Sequence, residues 1–364
     1  MVIQGLAAVG ASVTQIASGL VVLGIAMGVT AIALSWWTRM PISIAWTTPG
    51  LALLATIGAV PGGFPAAVGA FIAVGLLVML TGLWSPLGRL IAAIPKPIAS
   101  AMLAGILLKL CLAPFMAIGK VPWLAAAVLA TWLLVHRVAR GYAVPAAVIV
   151  ALAGMAFDRP FAGVAFADLV PRFEFVAPVF TFEAMLNIAL PLFIVTMAGQ
   201  NLPGLTVLAA YDYRPRIAPL LLSTGAASAL GAPLGMPTIN LAAITAALCA
   251  GPDAHADPAR RYVAGIFGGV GYVALAALAG VAAVLVARSP PVLIEAVAGL
   301  ALIGAFGGAM LHAVQEEDGR LPGLITFLAT ASGFALFGIG SAFWGLVLGL
   351  IAHQLFRARW SKAA

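Results

Sequence analysis

Apolar stretches of membrane-crossing length follow one another along nearly the whole chain, separated by short polar breaks. About 20 consecutive apolar residues carry a helix across the hydrocarbon of a bilayer. Within that layer every backbone N–H and C=O must be satisfied inside the protein, which restricts the spanning elements to helices or a closed barrel. Stretches this long and this continuous in hydrophobicity are helical. Hydrophobic residues make up 63% of the chain and charged residues 8%, against about a quarter charged in an average soluble domain, so no separate water-facing domain can be built. Forty glycines and 24 prolines are tolerated in membrane helices, where small residues let backbones approach and neighbours re-satisfy freed groups. Cys111 and Cys249 sit in apolar runs and read as small buried hydrophobes, with no disulfide framework. The fold class is an all-α polytopic membrane protein, with the lipid bilayer as its surroundings.

Spans are expected at about 14–36, 42–58, 63–83, 97–117, 120–136, 141–157, 181–208, 215–232, 236–251, 262–287, 291–312, 321–338 and 341–356, preceded by a short apolar piece, Met1 to Gly10. The loops between them alternate in charge. One set holds Arg39, Arg89, Lys96, Arg137, Arg140, Arg214, Arg216, Arg260, Arg261, Arg320, Arg357, Arg359 and Lys362; the other holds Lys120, Arg159, Arg172 and Arg288. The positive-inside rule places the first set, and the C-terminus, in the cytoplasm. A net charge of +7 therefore records orientation and does not call for a nucleic-acid partner. No secretory signal with a cleavage site precedes the first spans, and a bacterial cytoplasmic (inner) membrane is the expected location. Residues 158–180, with Asp158, Asp168 and Glu174, read as an extracytoplasmic loop between two halves, 1–157 and 181–357, and 358–364 as a cytoplasmic tail.

Two segments differ from plain spans. Ser43-Ile44-Ala45-Trp46-Thr47-Thr48-Pro49-Gly50 leads into a short apolar helix, Leu51 to Val60; Gly235-Met236-Pro237-Thr238-Ile239-Asn240 leads into Leu241 to Ala250. Proline is favoured in a helix's first turn, and the residue before it is pushed toward extended backbone. Loop parity has the two segments enter from opposite faces. Paired half-helices in inverted halves are the sequence sign of a transport site at the midplane. The free N–H groups and positive dipole end of a helix N-terminus favour an anion, so two such ends around Gly50 and Thr238 are expected to hold a carboxylate, with Thr47, Thr48 and Thr238 adding hydroxyls. The plainer reading is a pair of proline kinks packed against neighbours.

Gln200 and Asn201, in Thr196-Met197-Ala198-Gly199-Gln200-Asn201-Leu202-Pro203-Gly204, are amides at a depth where lipid satisfies nothing. They either contact substrate or satisfy backbone near Pro203 and Gly204. Ionisable residues inside spans are functional candidates by default. Lys109 can snorkel, take an internal partner or act in transport. Glu183 and Glu295 stand in first helical turns, where a carboxylate suits the dipole; His312 and His353 are interfacial. Glu183 is also the candidate proton carrier. No metal spacing, phosphate loop or catalytic constellation is present, so neither enzyme activity nor a cofactor is expected. Gly24-x-x-x-Gly28, Gly265-x-x-x-Gly269, Gly304-x-x-x-Gly308 and Gly345-x-x-x-Gly349 read as close-packing faces, within the chain or in a homodimer.

Several blocks together are similar to a known family: Ala45-Trp46-Thr47-Thr48-Pro49-Gly50, Ala101-Met102-Leu103-Ala104-Gly105-Ile106-Leu107-Leu108, Val195-Thr196-Met197-Ala198-Gly199-Gln200-Asn201, Ala242-Ala243-Ile244-Thr245-Ala246-Ala247 with Gly251-Pro252-Asp253-Ala254-His255, and Gly338-Ile339-Gly340-Ser341-Ala342-Phe343-Trp344-Gly345. In this order, over essentially the whole chain, they resemble the benzoate/proton symporters of the BenE type. The resemblance implies two inverted seven-helix repeats, a core domain carrying the half-helices and a gate domain, an elevator mechanism, and uptake of a small aromatic carboxylate such as benzoate with protons. It also implies a full first helix, of which this chain has only Met1 to Gly10, so the first helix is expected to be truncated. In the related nucleobase permeases a glutamate faces substrate near the position of Gly199; its absence here agrees with an acidic substrate and removes that proton carrier. The expected substrate site is Thr47, Thr48, Pro49, Gly50, Gln200, Asn201, Gly235, Met236, Pro237 and Thr238. Other readings are a different anion or a nucleobase on the same fold, an anion channel, or a non-transporting receptor or scaffold.

Overall fold

A computed structural model describes residues 1–84, 86–87, 89, 93–158, 173–242, 244–252, 254–287, 291–336 and 339–360. Of the residues read above, Arg159, Asp168, Arg172, Ala243, Asp253, Arg288, Gly338 and Lys362 lie outside the described residues.

The chain runs α1 (Val2–Ala8), α2 (Val13–Thr38), β1 (Ile44–Trp46), α3 (Thr48–Ile57), α4 (Gly63–Leu83), α5 (Lys96–Lys120), α6 (Pro122–Val138) and α7 (Ala143–Asp158). It continues with α8 (Phe182–Ala209), then α9 (Ile217–Gly231), β2 (Ile239–Leu241), α10 (Ile244–Ala250), α11 (Tyr262–Ala276), α12 (Ala279–Ala287), α13 (Pro291–Val314), α14 (Glu317–Ala331), the short hairpin β3 (Ala335–Leu336) and β4 (Ile339–Gly340), and α15 (Ser341–Trp360). Among the described residues six helices are long and apolar enough to cross a membrane: α2, α4, α5, α8, α9 with its 3-10 extension to Leu234, and α13. The expected span 262–287 is two helices broken after Ala276, and the span expected to reach residue 338 ends at Ala331.

Helix ends follow local chemistry. Ser12 and Gln15 form a reciprocal capping box at the start of α2, satisfying two orphan donors. At its other end Arg39 adopts φ 55°; its guanidinium lies 4.5 Å from the Trp36 ring and 4.8 Å from that of Tyr262, and donates to the Tyr262 hydroxyl at 2.6 Å. Trp36 and Trp37 are exposed beside it. An aromatic and arginine cluster of this kind anchors a helix end at the membrane–water boundary.

The helices form two packed groups. In one, α2 packs along α11 and α4 along α9, around α1, α3, β1, β2, α8 and α10; in the other, α5 packs along α13, α14 and α6, with α7 on α6 and α15 on α14. They meet where α3 and α8 face α5 and α15. Two of the glycine motifs face each other: a Cβ on Gly28 would meet Val273 and the Gly269 carbonyl, and a Cβ on Gly269 would meet the Gly28 carbonyl at 2.7 Å. Gly345 and Gly349 close on Thr330 and Thr326, whereas Gly304 and Gly308 have nothing within 4 Å. Most of the motif surface is thus spent on packing inside the chain.

β1 and β2 pair antiparallel, with Ile44 opposite Leu241, Ala45 opposite Asn240 and Trp46 opposite Ile239. The Ala242 N–H to Ser43 C=O bond (2.9 Å) and the Thr47 N–H to Thr238 C=O bond (3.4 Å) extend the ladder at both ends. A two-stranded ribbon inside a membrane leaves an outer row of donors that lipid cannot accept. Side chains accept them here: Ile239 N–H donates to Ser228 Oγ at 3.0 Å, and Leu241 N–H to Asn201 Oδ1 at 2.9 Å.

Candidate functional site

The ribbon holds the start of α3 against α8. Thr47 is the N-cap of α3, its hydroxyl accepting from Gly50 N–H at 3.2 Å, with Pro49 in the first turn; this is the start expected from the Thr-Thr-Pro-Gly sequence. Thr196 of α8 donates its hydroxyl to Thr47 Oγ1 at 2.9 Å, and both residues are fully buried. Gly50 has no room for a Cβ, which would strike Leu192 and the Thr47 side chain. Gly50 N–H is therefore occupied by the cap. Because Pro49 has no N–H and Thr47 N–H goes to Thr238, the first-turn donor left over is that of Thr48. The half-buried Thr48 hydroxyl also forms no hydrogen bond among the described residues.

The second half-helix begins later than its sequence suggests. Pro237 and Thr238 precede β2, and α10 starts at Ile244, six residues beyond Thr238. A helix from Leu241 would strip the ribbon of its partner strand; pairing with Ile44–Trp46 holds Ile239–Leu241 extended instead. Thr238 thus lies beside the start of α3, not at the start of its own helix, and its buried Oγ1 has no hydrogen-bond partner among the described residues. The start of α10 lies at the other end of the ribbon, where Ser43 Oγ donates to Thr245 Oγ1 at 2.9 Å. The far end of α10 is capped by the buried Arg261, which donates to the Ala250 and His255 carbonyls, each at 2.8 Å; a cation there suits the helix dipole.

Gly235 and Met236 serve the packing of this region. Gly235 takes φ +84°, and its would-be Cβ lies 2.7 Å from the Gln15 carbonyl of α2. Met236 and Pro237 are buried, the Met236 side chain lying against Gly231 of α9. Asn201 is buried too, committed through Oδ1 to Leu241 N–H and through Nδ2 to Met197 Sδ at 3.2 Å. It satisfies the backbone of β2, not that of Pro203 or Gly204. Gln200 next to it is half-buried, and its amide has no partner among the described residues. Thr48, Gln200, Thr238 and the Asn240 side-chain oxygen are accordingly uncommitted polar groups near the start of α3 among the described residues, where Pro49 lies 3.5 Å from the Cβ position of Gly199.

α8 contains two wide π turns, Met185–Ala189 and Met197–Asn201. Each is followed two residues later by a proline, Pro191 or Pro203. Proline removes the bond to the carbonyl four residues back and collides with it; those carbonyls belong to Asn187 and Gly199, both inside the wide turns. The second turn carries Gln200 and Asn201. Such turns recur at functional sites, and the proline spacing was the signal in the sequence. Glu183 lies in the exposed first turn of α8, capped by Thr181. It is 17 residues from Gln200, or about 25 Å along a helix.

Between the two helix groups, beside the α3–α4 turn, lies a cavity of about 310 Å3 bounded by Leu53 and Thr56 of α3, Asn187 and Pro191 of α8, Lys109 of α5, and Thr330 and Phe343. A second cavity, about 510 Å3, is lined by Gln4, Ile16, Ala55, Lys109, Ile294 and Glu295. Lys109 borders both. Neither Lys109 nor Glu295 forms an ion pair or hydrogen bond among the described residues. No group of His, Cys, Asp and Glu that could hold a metal is found among them.

A helical membrane body, half-helices around a buried antiparallel ribbon and a polar pocket between two helix groups define a membrane transporter. The sequence matches the model of the BenE benzoate membrane transport protein family over residues 1–355, and the chain belongs to that family. It is 40% identical over 347 residues to the inner membrane protein YdcO of Escherichia coli (strain K12), covering 94% of this chain and 88% of that one. It is 37% identical over 336 residues to the benzoate membrane transport protein of Acinetobacter baylyi, covering 91% and 84%. The fold matches the transmembrane domain of the cyanobacterial bicarbonate transporter BicA with a TM-score of 0.55 over 96% of each chain, at 14% identity. The chain is an integral inner membrane protein.

Proposed function

We propose that the chain carries benzoate or a related aromatic carboxylate into the cell together with protons. The observation that carries this reading is the start of α3, where the N–H and hydroxyl of Thr48 and the Gln200 amide stand uncommitted beside a ribbon whose other polar groups are mostly satisfied, in a chain of the benzoate transport family. A carboxylate held there is stabilised by the helix dipole without a buried cation. The other expected contacts, Thr47, Pro49, Gly50, Asn201 and Gly235–Thr238, form the frame that aims these groups, with Thr238 Oγ1 as a further donor.

The two packed groups are read as a core, carrying α3, α8, α10 and the ribbon, and a gate built on α5 and α13, the core sliding against the gate as an elevator. The two halves, 1–157 and 181–357, are read as inverted seven-helix repeats, the antiparallel pairing of β1 with β2 being what an inverted pair requires. The arginine-rich loops and the C-terminus face the cytoplasm. Glu183, at the far end of α8, suits a proton port on the outer face better than a group in contact with the substrate. The test is uptake of radiolabelled benzoate by proteoliposomes with and without an imposed pH gradient, with bicarbonate and uracil as competitors.

A further inference from the structure

Lys109 stands in the middle of α5, with apolar residues on either side, and a cation at that depth is costly without a partner. Among the described residues it forms no ion pair or hydrogen bond. Lys109 is exposed and is the one charged residue among the described residues that border the 310 Å3 cavity. The rest of the wall has two characters. Leu53, Ile106, Pro191 and the Phe343 ring are apolar; Thr56 and Thr330 carry hydroxyls, and Thr330, 5% exposed, has an Oγ1 with no partner among the described residues. Small-ligand sites are commonly ~300–1,000 Å3, mostly apolar, with a few placed polar groups. Leu53 and Thr56 belong to the helix whose start forms the central site, so the cavity lies along α3 between that site and the α3–α4 turn.

We propose that this cavity is an outer binding site for a monocarboxylate with a flat apolar body, the Lys109 ammonium serving as counter-ion to the carboxylate and the Phe343 wall receiving the ring. The inference rests on the reading that the chain handles an organic carboxylate and adds to it a second station, on α5, entered before the start of α3. A cation within the spanning depth attracts an anion more strongly than one in bulk water. Glu295 borders the neighbouring cavity that Lys109 also lines, without forming an ion pair with it, so its negative charge lowers the potential that Lys109 offers an entering carboxylate. Removing the Glu295 charge leaves Lys109 to the ligand alone.

The test has a transport arm and a binding arm. In proteoliposomes, Lys109→Gln raises the KM for benzoate uptake about tenfold and abolishes its dependence on ionic strength, Lys109→Arg restores both, and Glu295→Gln lowers KM. For binding, Thr56→Cys is introduced after replacing Cys111 and Cys249 with alanine, and labelling by a membrane-impermeant thiol reagent is followed. Benzoate slows labelling when Lys109 is present and does not when Lys109→Gln is added, even at concentrations that saturate its uptake. Protection without any uptake would leave the outer site standing and overturn the transport reading. Uptake with a KM and labelling rate indifferent to Lys109, or labelling that benzoate never slows, would overturn the outer site.

Discussion

The two adjacent threonines at the start of α3 do different work. Thr47 is committed twice, to Gly50 N–H and to Thr196, whereas Thr48 is uncommitted. Thr47→Val removes a helix cap, which costs about 1–2 kcal/mol, and is expected to lower the unfolding temperature in detergent. Thr48→Val is expected to leave that temperature unchanged and raise the KM for benzoate several-fold. The reverse pattern would show the two roles to be exchanged. Asn201→Leu strands the Leu241 N–H, a penalty of about 1–3 kcal/mol for a buried donor, and is expected to fail in stability before it fails in binding. At this scale the sequence was legible where chemistry is local: Pro49 after two threonines marks the start of α3. It misled at Pro237-Thr238, which carries the same local signal, because the partner that keeps Ile239–Leu241 extended lies near residue 45. The division of labour between Gln200 and Asn201 was hidden for the same reason, since only the position of Leu241 decides which amide is occupied.

Between elements, glycine placement records which helix faces are used. Gly269→Leu forces a side chain into the Gly28 carbonyl and Ile32, and is expected to prevent recovery of a monodisperse protein by size-exclusion chromatography. Gly304→Leu, with open space around it, is expected to behave as wild type. Equal behaviour of the two would mean that α2 and α11 do not pack as described. The π turn at Met197–Asn201 sets the rotation of Gln200 relative to Thr196, and Pro203 holds it open. Pro203→Ala restores the missing donor and is expected to let the turn close to an ordinary α-helix, raising thermal stability while lowering benzoate uptake. Six of the expected spans fall on long apolar helices among the described residues, each set by its own hydrophobicity, whereas the break after Ala276 and the end of α14 at Ala331 were not legible from hydrophobicity. The sequence could not place Lys109 between two cavities, because each cavity is bounded by three or more elements distant in sequence.

For the whole molecule, family membership, the ribbon with its half-helices and the two helix groups bear on one activity. On the proposed reading, a chain that carries protons with a carboxylate should concentrate substrate only when an acid exterior drives it. Radiolabelled benzoate uptake into proteoliposomes of the purified protein, acid outside and neutral inside, compared with equal pH on both sides and with protein-free liposomes, measures this. The expected result is accumulation above the protein-free level that depends on the gradient, collapses when a protonophore is added and is inhibited by excess unlabelled benzoate but not by bicarbonate or uracil. Uptake no greater than in protein-free liposomes, or uptake indifferent to the gradient, would contradict proton-coupled import of an aromatic carboxylate.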